Sequence, residues 1–363
     1  MNRVYVIMVI LLLGVLKQIP SLSAPNDDCP ESDLNTPKDS PFRSIPIYDQ
    51  DGSRTCYAYA AVQLLDYWRL QHGAKPTDLV NPVYAAWVET YQNRSWITRI
   101  KSTKNSGFAE DVIMALRKQG YCKHDKVEAC LSEFKRLGNM TDASLLHFLE
   151  TIYDNYTVFT FGNSTAKAIE KTEQDRWFKN NCSVSNLSAT LQARNLMGVA
   201  ATKILADLFQ GCQPPDSLAT VPEPHLYRDR KDADIQKRID DALTNKVPAG
   251  VILCSTVFNN PSYRGLNQSS FMLARDYSDG HIKPDCVDHN VLISGRKKID
   301  GSCKYLVRNS WGALWHPKGV VCACTLSDGS YKAECQENEG IEFVGCWYDK
   351  KDLVPNIESV TTM

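Results

Sequence analysis

The chain has 363 residues, 43% of them apolar, enough to bury one large core or two lobes. Its 41 basic and 42 acidic residues nearly cancel, so neither nucleic acid nor an anionic membrane surface is expected as a partner. Thirteen cysteines fit an oxidising compartment better than the cytosol.

Arg3, the apolar run from Val6 to Leu16, and the small residues Ser21, Ser23 and Ala24 read as a secretory signal over 1–24. The run is short for a membrane span, so cleavage rather than anchoring is expected. The mature chain is then secreted, or resides in a lysosome-like or periplasmic compartment, with no membrane partner. Residues 25–44 are rich in Asp, Ser and Pro and read as an extended leader. Cys56 to Leu70 is the first strong helix, with Thr55 as its N-cap. Tyr57, Ala58, Ala60, Ala61, Val62, Leu64, Leu65 and Tyr67 make most of its faces apolar, which predicts central burial. Further helices are predicted over 82–91 and 109–119, the latter stopped by Gly120.

From about residue 122 to 238 the pattern changes to short helical stretches (131–137, 143–153, 191–209) between polar segments. Five of the seven Asn-x-Ser/Thr sequons lie here, at Asn139, Asn155, Asn163, Asn181 and Asn186; the others are at Asn93 and Asn267. In a eukaryote they mark a glycosylated, exposed region; in a bacterium they carry no meaning. A helix over 234–245 then leads into strands at 249–256, 291–294 and 303–308. The expected organisation is signal 1–24, leader and helical lobe 25–121, helical insertion 122–238, strand-rich lobe 239–350 and tail 351–363.

Cys56 is the most informative residue. Gln50 precedes it by six positions, where a side-chain amide can reach a forming oxyanion. A helix N-terminus is a setting that favours thiolate. Setting Cys56 aside leaves twelve cysteines, enough for six disulfides. A zinc site built on Cys322, Cys324 and His316 is the rival use of that cluster, but its spacing fits no common structural site, and no cofactor is expected. His289 opens the apolar run Val291-Leu292-Ile293 and so sits on a rigid platform, whereas His281, beside Gly280, reads as a loop residue. Asn309, in Asn309-Ser310-Trp311-Gly312, can accept the imidazole N–H while the adjacent indole shields that bond from water. Nucleophile, base and orienting amide follow in chain order.

These residues and flanks resemble the papain-like (clan CA) cysteine peptidases over roughly 41–120 and 240–348. The resemblance implies an α+β fold of two lobes: a helical left lobe and a β-barrel-like right lobe, with the active site between them and a helical insertion added. It implies hydrolysis of polypeptide substrates, with Cys56, His289, Asn309 and Gln50 catalytic. It further implies substrate binding by Gly107, Phe108, Val287, Asn290 and Trp311; Asn105-Ser106-Gly107-Phe108 resembles the family's cleft-lining Cys-Asn-Gly-Gly.

The departures are specific. Ser53 and Lys104 replace both ends of one family disulfide, Arg54 replaces a glycine, and Asn290 stands where a small residue is usual. The short stretch between the signal and Gln50 leaves no room for the family's long pro-region. Cys56 and His289 lie about a hundred residues further apart than the roughly 130–150 expected, an excess matching the 122–238 insertion. That insertion is the expected place for a protein inhibitor or partner. The alternatives are an inactive papain-like binding module and a thiol-dependent transpeptidase or amidase.

Overall fold

The computed structural model describes residues 29–50, 55–89, 107–125, 209, 216–228, 231–259, 288–335 and 342–363. Met1–Pro30 forms one unit, described only at Cys29 and Pro30, and Glu31–Met363 forms a second. The expected signal, all seven sequons, the insertion helices over 131–137 and 143–153, and the positions Ser53, Arg54, Lys104, His281 and Val287 lie outside the described residues.

Helix α1 (Cys56–Gln71) is buried at every residue from Cys56 to Tyr67, as its all-round apolar pattern predicts. Thr55 stands at its N-cap, but the hydroxyl makes no capping bond. The two polar residues within this buried run require partners. Asp66 accepts from Arg69 Nη1 at 2.6 Å and from Val80 N at 2.9 Å. Burial still pushes its carboxyl up to about 7, against the pull of Arg69. Gln63 Oε1 accepts from Arg308 Nε at 2.7 Å.

Helix α2 (Pro82–Trp87) begins where Asn81 Oδ1 accepts the Tyr84 N–H at 2.9 Å, with proline in the first turn. Helix α3 (Ala109–Gln119) has the predicted bounds and stops at Gly120, whose φ of 84° needs glycine. Helix α4 (Asp232–Thr244) packs on the sheet. Its Asp240 gathers Arg296 at 2.7 Å, Lys350 at 2.8 Å and the Tyr305 hydroxyl at 2.7 Å.

The described strands are β1 (Ser32–Asp33), β2 (His225–Tyr227), β3 (Ala249–Cys254), β4 (Asp288–Ile299), β5 (Ser302–Arg308), β6 (Cys322–Thr325), β7 (Tyr331–Cys335), β8 (Glu342–Asp349) and β9 (Ile357–Thr362). They pair antiparallel in the order β2-β9-β3-β4-β5-β8-β6-β7. β1 joins β4 at Arg296 and Gly295, beyond the end of the β3 pairing. Asp300 and Gly301, both at positive φ, close the β4–β5 hairpin.

The expected barrel is therefore corrected to an open sheet: among the described residues the strand path does not return on itself. Its two ends are poor at pairing. β2 has three residues, and β7 exposes Lys332 and Glu334 in alternation. The expected leader is also more structured than its composition suggests: β1 pairs with β4, and Leu34 and Phe42 are core residues. The expected tail supplies β9, which lies inside the sheet between β2 and β3.

Two disulfides close the far side of the sheet. Cys322 bonds Cys346, directly opposite it on β8, and Cys324 bonds Cys335 on β7. Both thiols of the alternative zinc cluster are thus committed to disulfides.

Candidate active site

Cys56 is the first residue of α1, only 5% exposed, and the one free cysteine among the described residues. His289 is the second residue of β4, fixed opposite Leu253 of β3 and buried. Asn309 directly follows β5. The β4–β5 pairing brings the two together, and His289 Nε2 lies 2.7 Å from Asn309 Oδ1. The same oxygen accepts the Ser310 N–H at 2.8 Å, which fixes the amide's orientation. Asn309 Nδ2 is buried without a partner.

Trp311 stacks on the imidazole, with ring centroids 4.7 Å apart and 26° between planes. Phe258 meets both rings edge-on, and Trp315 meets Trp311 the same way. This aromatic shell surrounds the His289–Asn309 bond with apolar surface. It also opposes charge on the imidazole: burial lowers the His289 pKa to about 4, and only the bond to Asn309 works the other way.

Gln50 is tied to Ser310, the residue after Asn309. Its N–H donates to Ser310 O at 2.8 Å, and its Oε1 accepts the Ser310 hydroxyl. Asp49 bridges to Trp311, and the Gly312 N–H donates to Tyr48 O at 3.1 Å, so the 48–50 segment is sewn to the 310–312 turn. Gly312 is required there: its φ is 87°, and a Cβ would lie 2.8 Å from Asp49 Oδ2.

Gly107 rests on the ring of Tyr57, the residue after the nucleophile, so closely that a Cβ would meet Tyr57 Cδ2 at 2.5 Å. Asn290 joins this wall to the nucleophile. Its Nδ2 lies 4.0 Å from Cys56 Sγ and 3.4 Å from Gly107 O. Phe108 precedes α3, with the Arg228 guanidinium 4.4 Å from its ring centroid.

The sequence-predicted residues thus fall into three sets: His289 with Asn309 and Trp311, Gln50 with Ser310, and Cys56 with Asn290 and Gly107. Sulfur and imidazole make no hydrogen bond with each other in this structure; the sulfur's side-chain partner is Asn290. Burial of the sulfur works against the thiolate that the helix N-terminus favours. It pushes the Cys56 thiol up and outweighs the donors from Asn290 and the Tyr57 N–H, and the Asp288 charge adds to the rise. Sequence reasoning placed Asn290 among the substrate-binding residues and missed its contact with the sulfur. It also missed Ser310 as the clamp on Gln50, although Ser310 stood within the motif that identified Asn309.

No family model and no curated protein matches the chain. Among solved structures, digestive procathepsin L 3 from the larval midgut of Tenebrio molitor has a TM-score of 0.34 at 10% identity, over 92% of this chain and 73% of its own. Digestive procathepsin L2 proteinase of the same species has 0.35 at 13%, over 92% and 68%. A structure from work on antibody cross-reactivity between the mite allergens Blo t 1 and Der p 1 has 0.31 at 12%, over 90% and 73%. All three scores fall below 0.5, so they establish no family for the chain.

Proposed function

We propose that the chain is a papain-like cysteine peptidase that hydrolyses polypeptides through a thioester. The observation that carries this reading is the 2.7 Å His289–Asn309 bond, stacked under Trp311, on the same strand end whose next residue touches the Cys56 sulfur. An imidazole with one nitrogen held by an amide oxygen presents the other as a base. With a buried, unpaired cysteine alongside, the donor set suits acyl transfer.

In the proposed cycle His289 takes the Cys56 thiol proton as sulfur attacks the substrate carbonyl carbon. The oxyanion is held by Gln50 Nε2 and the Cys56 N–H, each such donor contributing about 3 kcal/mol. Collapse breaks the C–N bond, and the imidazolium protonates the departing amine. Water, deprotonated by His289, then attacks the thioester and releases the acid and the thiol. Ser310 holds the Gln50 carbonyl oxygen and thereby sets which way its amide group faces. Trp311 shields the His289–Asn309 bond, and Gly107 and Phe108 line the substrate wall. Secretion or residence in a lysosome-like compartment accords with the disulfides.

The inactive binding-module reading has one observation in its favour: burial drives both Cys56 and His289 toward their neutral forms. Labelling of the non-reduced protein with a peptidyl epoxide, mapped by mass spectrometry with Cys56→Ala as control, separates the two. Stoichiometric modification at Cys56 that abolishes peptide hydrolysis is the expected result. An unlabelled Cys56 would leave the binding module standing.

A further inference from the structure

Asn290 does more than line a pocket. Its side chain is buried, on a strand locked in register opposite Ile252, so the amide has little freedom to turn away. One nitrogen faces two acceptors, Cys56 Sγ at 4.0 Å and Gly107 O at 3.4 Å. Gly107 is itself pinned, because its α-carbon lies against the Tyr57 ring, the residue next to the nucleophile. The sulfur has no hydrogen bond with His289; this amide is its side-chain donor, beside the backbone N–H groups of Asn290 and Tyr57. An N–H directed at sulfur strengthens as sulfur gains charge, since a bond to an ionised acceptor is roughly twice as strong as a neutral one.

We propose that Asn290 is a positioning residue for the Cys56 nucleophile. Its amide holds the sulfur against the Gly107 wall and stabilises the thiolate as it forms. The inference rests on the reading of Cys56 as a nucleophile. A small residue at this position would leave the sulfur without a side-chain donor.

The test is the rate of iodoacetamide alkylation at Cys56, followed by peptide mapping from pH 5 to 10 on the full non-reduced chain. Thermal midpoints serve as the folding control. Asn290→Ala and the near-isosteric Asn290→Leu should move the pH midpoint of alkylation upward by about one unit, or about tenfold slower alkylation at pH 7. Asn290→Asp, which replaces the donor by a carboxylate, should move it further. A purely structural role would alter thermal midpoints without moving the alkylation midpoint. Unchanged alkylation profiles in folded Ala and Leu variants overturn the proposal, and so does a wild-type Cys56 that resists alkylation throughout. Peptide hydrolysis by the wild type is scored separately. A shifted profile without hydrolysis retains the role of Asn290 and removes the peptidase, whereas hydrolysis with unshifted profiles does the reverse.

Discussion

Arg308 is a buried cation whose hydrogen-bond partners are all neutral, and that makes its environment testable. Nε donates to Gln63 Oε1 at 2.7 Å; Nη2 donates to Ile45 O at 2.6 Å and Pro46 O at 3.1 Å; Nη1 has no partner. The guanidinium also lies 4.8 Å from the centroid of the Phe42 ring. Burial works against its charge, yet a guanidinium does not lose its proton at accessible pH. Gln63→Leu removes a charge-assisted bond and leaves a second guanidinium nitrogen unpaired, a cost of about 3 kcal/mol. Arg308→Met removes the charge but strands the Gln63, Ile45 and Pro46 oxygens, for a similar loss. In the double variant no buried charge remains and the Gln63 oxygen is gone. The combined loss should then be about 3–4 kcal/mol rather than 6.

Denaturant unfolding under non-reducing conditions, followed by circular dichroism, measures all three. Losses that add within about 0.5 kcal/mol would refute the argument, because independent sites add to that degree. Arg308 precedes Asn309, Gln63 shares a helix with Cys56, and Ile45 and Pro46 lead into the Gln50 segment. Gln63→Leu should therefore also slow epoxide labelling at Cys56.

His289 should make stability depend on pH. With a folded pKa of about 4 against 6.5 unfolded, the unfolded chain takes up the proton first. The stabilisation is complete above about pH 6.5 and is lost as pH falls toward 4, by about 3 kcal/mol. Asp66, raised to about 7, acts in the opposite sense over the same range, so the measurement is the difference between wild type and His289→Gln; parallel pH profiles would contradict it. Gly107→Ala should push the cleft wall off Tyr57 and slow epoxide labelling about a hundredfold, the effect of roughly 1 Å of misplacement. Wild-type labelling kinetics in that variant would show that the close approach does not matter. Replacing Cys324 and Cys335 by alanine opens an 11-residue loop and should cost about 2–3 kcal/mol in a thermal or denaturant melt while leaving Cys56 labelling unchanged.

What was legible in the sequence was whatever a local pattern carries. The end of helix α3 was legible because Gly120 stops it in a conformation that glycine adopts readily. The core of α1 was visible because nearly every residue in it is apolar. Asn309 and His289 were visible as flanks, a polar residue set beside an aromatic or at the mouth of a buried strand. β1 and β9 were not: a two-residue strand has no period to detect, and Ile357-Glu358-Ser359-Val360-Thr361-Thr362, though rich in β-branched residues, lay in a stretch set aside as tail. Its neighbours in the sheet, β2 and β3, are distant in sequence, so pairing rather than propensity makes it an inner strand.

The charge state of the site was the least legible part, because it depends on distances that no spacing encodes. A cysteine at a helix N-terminus suggests a thiolate only if that terminus faces water or a cation. Here it faces Asn290 and the Gly107 segment and feels the Asp288 carboxylate, and desolvation of the sulfur exceeds what two or three neutral donors return. The imidazole is driven toward neutrality by the aromatic rings that shield its bond to Asn309. A neutral thiol beside a neutral imidazole is still competent for acyl transfer if the proton moves as sulfur attacks, since the ion pair then forms only with substrate present. That order of events places the energetic weight on groups that strengthen when sulfur becomes charged, and among the described side chains Asn290 is the one that hydrogen-bonds it.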